Sequence, residues 1–311
     1  MKTTTSHLAR IITRSSSKQS YYTACLLVDK DLIDDCCRAY GYFRWADDFI
    51  DLNAFPKKDR VAFIKRQKNI VEQLYQGEIP TDLCPQEEII VDLIHHDRGE
   101  NSGLRSFIHN FMAILEFDAQ RKGQPVSQQE LIWYSNCLGR AVTDGIQYFV
   151  CNGHHYPEAS NRYLAATAAH ITHMLRDLIS DLNEGYINIP REYLEEHNLN
   201  PKEVENPLMR AWVKAQVQLA RQYFCEGKHY LDQLDVLRCK IAGYWYCVRF
   251  ECVLTAIEKD AYVLLPDYNE RRKISTKFKL VKQAITLIVQ RISRYIRSGN
   301  FADFRNPTKN R

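Results

Sequence analysis

The chain has 311 residues, which is enough for one large domain or two ordinary ones with a sizeable buried core. Hydrophobic residues make up 45% of it and charged residues 26%, the balance of a soluble globular protein rather than of a disordered one. The formal net charge of +4 is too small to indicate a nucleic-acid partner, and no run of about 18 apolar residues predicts a membrane-spanning helix.

Helical periodicity dominates the sequence. Apolar residues recur at intervals of three and four, Gly and Pro are sparse, and no segment alternates as a strand does. The predicted helices lie at about 4–16, 19–27, 31–52, 57–76, 84–97, 101–121, 127–151, 158–183, 205–232, 234–264 and 274–297. Short turns separate them and no linker or repeat divides the chain, so we expect an all-α protein with one domain spanning residues 1–311.

The first 20 residues contain no acidic side chain and several Ser and Thr, a composition shared with targeting peptides. Leu8, Ile11 and Ile12 nevertheless recur at helical spacing, so we expect residues 1–16 to form the first helix of the domain.

Ten cysteines occur without any CxxC pair. Those in apolar, helix-patterned runs are Cys25, Cys36, Cys37, Cys137, Cys151, Cys247 and Cys252. This placement predicts buried thiols in a reducing compartment, and it favours a cytoplasmic location.

The segment from Tyr40 to Asp51 places acidic side chains inside an apolar helix. Asp47 and Asp51 are four residues apart and therefore share one face, with Arg44 one turn earlier. Like charges at this spacing destabilise a helix, and apolar surroundings add to the cost. A hard divalent cation such as Mg²⁺, which binds carboxylate and phosphate oxygens, would compensate them. The alternative for this segment alone is a solvated acidic turn.

The predicted helix at 158–183 repeats the arrangement, with Asp177 and Asp181 four residues apart and Arg176 beside them. Two such carboxylate pairs on facing helices of a bundle can hold a cluster of magnesium ions between them. The ions would bind a diphosphate and stabilise it as a leaving group, while the arginines neutralise the remaining phosphate oxygens.

These residues resemble the signatures of the squalene and phytoene synthases, the head-to-head branch of the trans-isoprenyl diphosphate synthases. The resemblance extends from about Ser17 to Lys282. The first signature matches Tyr40, Arg44, Asp47, Asp48 and Asp51, and the second matches Arg176, Asp177 and Asp181. Further matches are the acidic segment Glu116–Asp118, Tyr134 at the start of the central helix, and the penultimate helix from Arg249 to Tyr262.

The resemblance implies a helical bundle of the isoprenoid synthase type around a deep central pocket. Its substrates would be long prenyl diphosphates, farnesyl or geranylgeranyl diphosphate, used with magnesium. One substrate is ionised to an allylic cation and the second attacks it, which leads to a squalene-, dehydrosqualene- or phytoene-type hydrocarbon. NADPH is expected only if the product is squalene.

The resemblance also implies a role for each matched residue. The ligands of a cluster of three Mg²⁺ ions would be Asp47, Asp48, Asp51, Asp177 and Asp181, with Asp47 and Asp177 counted as catalytic. The residues expected to contact diphosphate are Lys18, Arg44, Arg176 and His173. Tyr40 and Tyr134 would line the reaction centre, the latter close to the site of proton loss.

The chain departs from the family pattern in three places. His170 and His173 stand where the family usually has Gln and Asn before the second motif. After it, the family's Gly-Arg-x-Tyr element reads Gly185-Tyr186-Ile187-Asn188, so Tyr186 occupies the position of an expected arginine. In the central helix, Arg140 replaces a glycine, and Asp144 one turn on is a candidate partner for it.

Bulky or charged groups along the central helix are expected to close part of the pocket that a second prenyl chain would use. The alternative to condensation is therefore a class I-type terpene cyclase, a lyase on the phytoene-synthase scaffold that acts on one prenyl diphosphate. A non-catalytic assembly factor on the same fold is a further alternative. Condensation is preferred because it is the usual activity of the family.

The last predicted helix, Lys277 to Arg297, is basic and amphipathic. Such a helix either packs as an ordinary terminal helix of the bundle, the preferred interpretation, or makes peripheral contact with an anionic membrane. A frayed tail is expected at 298–311. The oligomeric state is not predicted.

Overall fold

The computed structural model describes residues 4–52, 54–97, 99, 102–150, 153–270 and 273–298. This part of the chain contains twelve α-helices, a 3₁₀ turn at Lys30–Leu32 and no strand, so the prediction of an all-α fold is confirmed. The helices are α1 (Thr5–Ser16), α2 (Lys18–Leu27), α3 (Ile33–Asp51), α4 (Lys57–Tyr75), α5 (Glu87–His95), α6 (Gly103–Arg121), α7 (Gln128–Phe149), α8 (Leu164–Glu184), α9 (Arg191–Glu196), α10 (Pro207–Gln233), α11 (Leu237–Lys259) and α12 (Ile274–Ser298).

Most predicted boundaries agree with the observed ones to within three residues. There are two exceptions. The helix predicted at 158–183 begins only at Leu164. The helix predicted at 234–264 ends at Lys259, because Ala261 and Tyr262 adopt positive φ angles of 52° and 65°. The six-residue helix α9, which follows Pro190, was not predicted. The expected frayed tail at 298–311 lies outside the described residues except for Ser298, the last residue of α12.

Helix α1 packs on α3 at the N-terminal side of the bundle. Ala9 and Thr13 are buried, the Thr13 hydroxyl donates to the carbonyl of Cys37, and Arg10 pairs with Asp34. The first described residues of the chain therefore belong to the packed helical core.

Helix α8 occupies the centre of the bundle, between α7, α10 and α11. Residues Ala165 to Ala169 are all buried, and two glycines on neighbouring helices allow close approach. A Cβ atom at Gly227 of α10 would collide with the backbone of Ala165, and one at Gly139 of α7 would collide with Thr167. Close packing therefore fixes the helix that carries Asp177 and Asp181.

Two loops meet at the end of α8. The helix ends at Gly185, whose left-handed φ of 92° turns the chain back sharply. The loop after it is joined to the α6–α7 loop by backbone hydrogen bonds from Gly123 to Gly185 at 2.7 Å and from Arg191 to Val126 at 2.7 Å. These bonds fix Tyr186 and Asn188 close to the C-terminal ends of α6 and α8.

The nine described cysteines are free thiols. Cys37, Cys247 and Cys252 are buried as predicted, and Cys36 and Cys137 are half-buried. The prediction is wrong for Cys25, which is exposed because this face of α2 points to solvent. Cys151 lies outside the described residues.

Helix α12 packs on α11 and α2 through one face only, where Leu287 contacts Leu27 and Ile241. The preferred expectation of an ordinary terminal helix therefore describes only half of its surface. No helix in the described ranges combines the length and apolarity required to span a bilayer.

Candidate active site

A cavity of about 660 Å³ lies among α2, α3, α6, α7, α8 and α11. Along α3, α6 and α8 the lining changes from apolar or neutral residues to charged ones towards the C-terminal end of each helix. Helix α7 runs the other way, with Tyr134 early and only apolar or small lining residues after it. The cavity therefore has one polar end and one apolar end.

Helix α3 brings four of its predicted site residues to the cavity: Tyr40, Arg44, Asp47 and Asp51. Asp48 is not among the lining residues. It is half-exposed and pairs with Arg44, which also lies 3.4 Å from the nearer carboxylate oxygen of Asp47. Asp48 is one residue on from Asp47, and a helix turns by about 100° per residue, so the two side chains cannot face the cavity equally.

The α3 carboxylates lack sufficient positive charge around them. Burial and the neighbouring carboxylates of Asp51 and Asp118 together raise the pKa of Asp47 to about 7, against the opposing effect of Arg44. Burial also raises the pKa of Asp51, with Glu184 and Asp118 adding to the shift. A cation at this end of the cavity would relieve this repulsion.

The two aspartates of α8 have pKa values that shift in opposite directions. Burial opposes ionisation of Asp177, but His173, at 2.8 Å, and Arg176 together hold the pKa of Asp177 well below its ordinary value. Burial instead raises the pKa of Asp181 to about 7, and the charges of Asp177 and Glu184 act in the same direction. The side-chain amide of Asn188 donates to Asp181 at 2.9 Å.

A third acidic group joins the two pairs. Asp118 on α6 accepts from the Tyr134 hydroxyl at 2.7 Å and from Arg121 at 2.6 Å. Burial raises the pKa of Asp118 and raises the pKa of Tyr134 well above its ordinary value, so the phenol remains protonated. The sequence comparison placed Asp118 in an acidic segment but gave it no role.

His170 lies against Tyr134, with ring centroids 5.1 Å apart. Burial lowers the pKa of His170 to about 3, so its imidazole is neutral. Its Nε2 atom has no hydrogen-bond partner among the described residues. His170 and Tyr134 therefore form a neutral polar patch in the cavity wall.

The side chains at the polar end fit magnesium bound together with a diphosphate. Within the described residues, no group of three or more acidic, His or Cys side chains could hold a metal ion by itself. Magnesium that bridges to substrate phosphates, however, needs only one or two protein carboxylates and prefers oxygen ligands. The buried guanidinium atoms Nη1 of Arg121 and Arg176, which lack protein partners in the described part, match the anionic group of such a complex.

The remaining predicted residues are placed as follows. Tyr134, His173, Asp177 and Asp181 line the cavity, whereas Arg176 lies behind Asp177. Lys18 is exposed at the first position of α2 and is not among the lining residues. The roles given to these residues remain predictions.

The expectation for Arg140 is wrong. Its side chain is exposed and lies over the ring of Tyr163 at 5.1 Å, while its expected partner Asp144 is buried and pairs with Arg162 at 3.0 Å. Leu138 and Val142 line the cavity, and Arg140, midway between them, points to the opposite side of α7. Arg140 therefore does not narrow the cavity.

Sequence reasoning missed the contribution of Arg249 to the cavity wall. This arginine is half-buried, and burial lowers its pKa. Its Nη2 atom donates to the hydroxyl of Thr23 at 3.3 Å, and the amide oxygen of Gln19 accepts from Nε at 3.0 Å and from Nη2 at 3.1 Å. No described carboxylate forms an ion pair with Arg249. The available signal was a lone arginine within the aromatic run from Tyr244 to Phe250.

Arg121 and Glu184 were also missed, although each lies three residues after an acidic lining residue. The same helical spacing that identified the aspartate pairs would have found them.

Solved structures of low sequence identity share the fold. Squalene synthase HpnC from Alicyclobacillus acidocaldarius superposes with a TM-score of 0.65 at 20% identity, covering 84% of this chain and 95% of that chain. A dehydrosqualene synthase in complex with a ligand gives a TM-score of 0.65 at 16% identity, covering 92% of this chain and 97% of that one. A search of curated protein sequences finds no significant match.

The family comparison is more specific than the structural one. The sequence matches the family model named squalene/phytoene synthase over residues 14–277, a range that contains all of the predicted site residues. The chain therefore belongs to the squalene/phytoene synthase family.

Proposed function

We propose that the protein is a magnesium-dependent prenyltransferase that ionises an allylic prenyl diphosphate and condenses two such molecules head to head. The observation that carries the proposal is the division of the cavity, with uncompensated carboxylates at one end and an apolar remainder. A prenyl diphosphate has the same division, since a highly charged group is attached to a long hydrocarbon chain.

The polar end supports departure of the diphosphate. Magnesium, when bound, would supply the charge that stabilises the leaving group. Asp47, Asp51 and Asp181 would provide the oxygen ligands, while Arg44 and Arg121, which also line the cavity, would bind phosphate oxygens. Ordered donors of this kind favour the state in which negative charge has accumulated on the leaving group.

The apolar end supports survival of the allylic cation. Its walls include Phe43, Phe107, Phe111, Phe149 and Trp245, which exclude water and offer aromatic faces to positive charge. The neutral imidazole of His170 and the protonated phenol of Tyr134 add polar atoms without adding a nucleophilic anion. The neutral imidazole can accept a proton from the cation at the end of the reaction.

Arg249 supports the use of two substrates. It lies on α11 beside Thr23 of α2, on helices that carry none of the five predicted metal ligands. A half-buried guanidinium whose hydrogen-bond partners are a neutral hydroxyl and a neutral amide favours an anion, and a second diphosphate would supply one. The exposed position of Arg140 removes the main sequence-based objection to a second chain.

Cyclisation of a single substrate is the second candidate, and one observation favours it. Tyr186 stands where the family has an arginine, and the amide of the nearby Asn188 binds Asp181 rather than remaining available to phosphate. A non-catalytic role has less support, because such a protein would retain three carboxylates whose charges oppose burial without any benefit.

Product analysis separates these functions. The purified protein is incubated with Mg²⁺ and farnesyl or geranylgeranyl diphosphate, with and without NADPH, and the extract is analysed by gas chromatography and mass spectrometry. Linear C30 or C40 hydrocarbon is expected; cyclic C15 or C20 products would show cyclisation instead. If the purified protein shows a cooperative thermal transition, and is therefore folded, but turns over neither substrate, both enzymatic functions are overturned.

The variant Arg249→Gln tests the second substrate. Loss of one charged hydrogen-bond donor costs about 2 kcal/mol, so condensation should fall about 30-fold. Release of diphosphate from the first substrate should change less than threefold. An equal loss in both assays would show that Arg249 serves the first substrate.

A further inference from the structure

Helix α12 carries an apolar surface that no described residue covers. The exposed residues are Ile274, Phe278, Val281, Ile285, Ile288, Val289, Ile292 and Ile296, together called the α12 stripe. At about 100° per residue they fall within an arc of about 100° that runs the length of the helix. Phe278 is 71% exposed and Ile285 is 55% exposed, which is unusual for side chains of this size.

The opposite face of α12 is already used for packing. Ala284 and Leu287 contact the bundle, and the indole N–H of Trp245 donates to the carbonyl of Leu280 at 2.9 Å. Helix α12 therefore cannot rotate to bury the α12 stripe without giving up these contacts. The stripe must be covered by something outside the described structure or remain in water.

The positive charge of α12 indicates what kind of partner covers the α12 stripe. The helix contains six basic residues, Lys277, Lys279, Lys282, Arg291, Arg294 and Arg297, and no acidic residue. On the helical projection, Lys277 and Lys282 lie at the two edges of the α12 stripe. An apolar strip bordered by lysines is the pattern of a helix that lies in the surface of an anionic membrane.

We propose that α12 docks the protein on an anionic lipid surface, with the α12 stripe in the acyl region and the bordering lysines at the headgroups. A second copy of the chain fits this surface poorly, because two α12 helices would bring together basic residues with no acidic partner on either helix. The docking itself does not depend on the chemistry of the cavity.

Helix α12 lies next to the cavity, so docking would also affect how substrate and product reach the cavity; this inference rests on the proposed function. Leu27 and Trp245 line the cavity and also contact α12 from its packed side. Docking would therefore place this apolar wall on the membrane side of the bundle, with α12 between the wall and the bilayer in which prenyl substrates and hydrocarbon products dissolve.

Vesicle co-sedimentation of the full chain tests the docking without any substrate. We expect binding to phosphatidylcholine vesicles that contain 30% phosphatidylserine, and at least tenfold weaker binding to phosphatidylcholine alone. The double variant Phe278→Gln, Ile285→Gln should bind at least tenfold more weakly than wild type. Both positions are exposed, so the variant should keep the wild-type thermal transition.

Two matched controls locate the effect. Ile79→Gln removes an apolar side chain that is 65% exposed between α4 and α5 and should leave binding unchanged. Lys277→Gln with Lys282→Gln should weaken binding to anionic vesicles about tenfold, whereas Lys57→Gln with Lys58→Gln should not. Failure of wild type to sediment, or equal sedimentation of wild type and the Phe278/Ile285 variant, would overturn the proposal.

Sedimentation velocity distinguishes membrane docking from an interface between two copies of the chain. If wild type is a dimer that the Phe278/Ile285 variant dissociates, the α12 stripe is an interface between copies and the proposal is wrong. Loss of product formation with intact vesicle binding would overturn the proposed function alone.

Discussion

The two helices that carry the predicted metal ligands have the same spacing of aspartates but differ in how those charges are compensated. On α3, Asp47 and Asp51 are both half-buried beside other carboxylates, and the pKa of each is raised. On α8, His173 and Arg176 lower the pKa of Asp177, while the pKa of Asp181 is raised. Of these four aspartates, the protein therefore favours the anionic form of Asp177 alone, and the raised pKa values of the other three are ones that a bound cation would lower.

This difference has a structural origin. His173 and Arg176 reach Asp177 from its own helix, one turn before it and one residue before it. On α3 the corresponding arginine, Arg44, divides its charge between Asp47 and Asp48. Equal spacing of acidic residues does not imply equal charge compensation.

The largest expected effect is on catalysis. Asp47→Asn and Asp177→Asn should each lower kcat/KM about 1000-fold, as loss of a main charge-stabilising group does. Asp48→Asn is the matched control, because Asp48 lies outside the cavity lining and should cost less than tenfold. Activity of Asp47→Asn within tenfold of wild type would contradict the assignment of this pair.

Ligand-linked stability is the second test of the comparison. Magnesium with inorganic diphosphate should raise the wild-type Tm, since binding at about 100 times Kd contributes about 2.7 kcal/mol. The rise should be absent in Asp47→Asn and Asp181→Asn, whose carboxylates need the cation. Differential scanning calorimetry measures it, and magnesium without diphosphate serves as the control.

In the ligand-free protein, replacing an aspartate by asparagine should change the free energy of unfolding in opposite directions on the two helices. Asp47→Asn should stabilise the ligand-free protein by about 1 kcal/mol near pH 8, allowing for solvent screening of this partly exposed group. Asp177→Asn should destabilise it by a similar amount. Urea unfolding gives both values; a change of the same sign in both variants would refute the proposed difference.

The pH dependence follows from the direction of each shift. The raised pKa of Asp47 makes its carboxyl a destabilising group that acts increasingly as pH rises from 3.8 to about 7. The advantage of Asp47→Asn should therefore disappear below about pH 4. The lowered pKa of Asp177 contributes stability that is present above pH 3.8 and lost as the pH falls.

The smallest expected effect concerns Arg140. Arg140→Gly restores the residue that the family has at this position, yet it removes only an exposed side chain over Tyr163. Product distribution and kcat/KM should change less than twofold, while helix propensity predicts a loss of about 1 kcal/mol in stability. A shift in product chain length would place Arg140 in the cavity after all.

Much of the fold and part of the site could be predicted from sequence, because both depend on local spacing. Apolar residues at intervals of three and four residues predicted most helix boundaries, and aspartates four residues apart identified both carboxylate pairs. The pKa difference between Asp47 and Asp177 could not be predicted, since Asp118 and Glu184 approach Asp47 and Asp51 from other helices.

The sequence also could not predict the direction in which a side chain points from its helix. Family signatures treat Asp47 and Asp48 alike and say nothing of where Arg140 points. Resolving these positions requires the packing of α3 and α7 against their neighbours. The exposed apolar face of α12 could not be distinguished by sequence from a face that packs, because both have the same periodicity.

The close contact of Gly227 with Ala165, and of Gly139 with Thr167, has a consequence for changing the product. Helix α8 cannot slide or tilt to admit a longer ligand, so under the proposed function the end of the cavity that contains Asp177 and Asp181 stays fixed while chain length varies. Libraries that aim at new chain lengths should therefore vary Leu138 and Val142 on α7 and leave the small residues of α8, α10 and Gly139 unchanged.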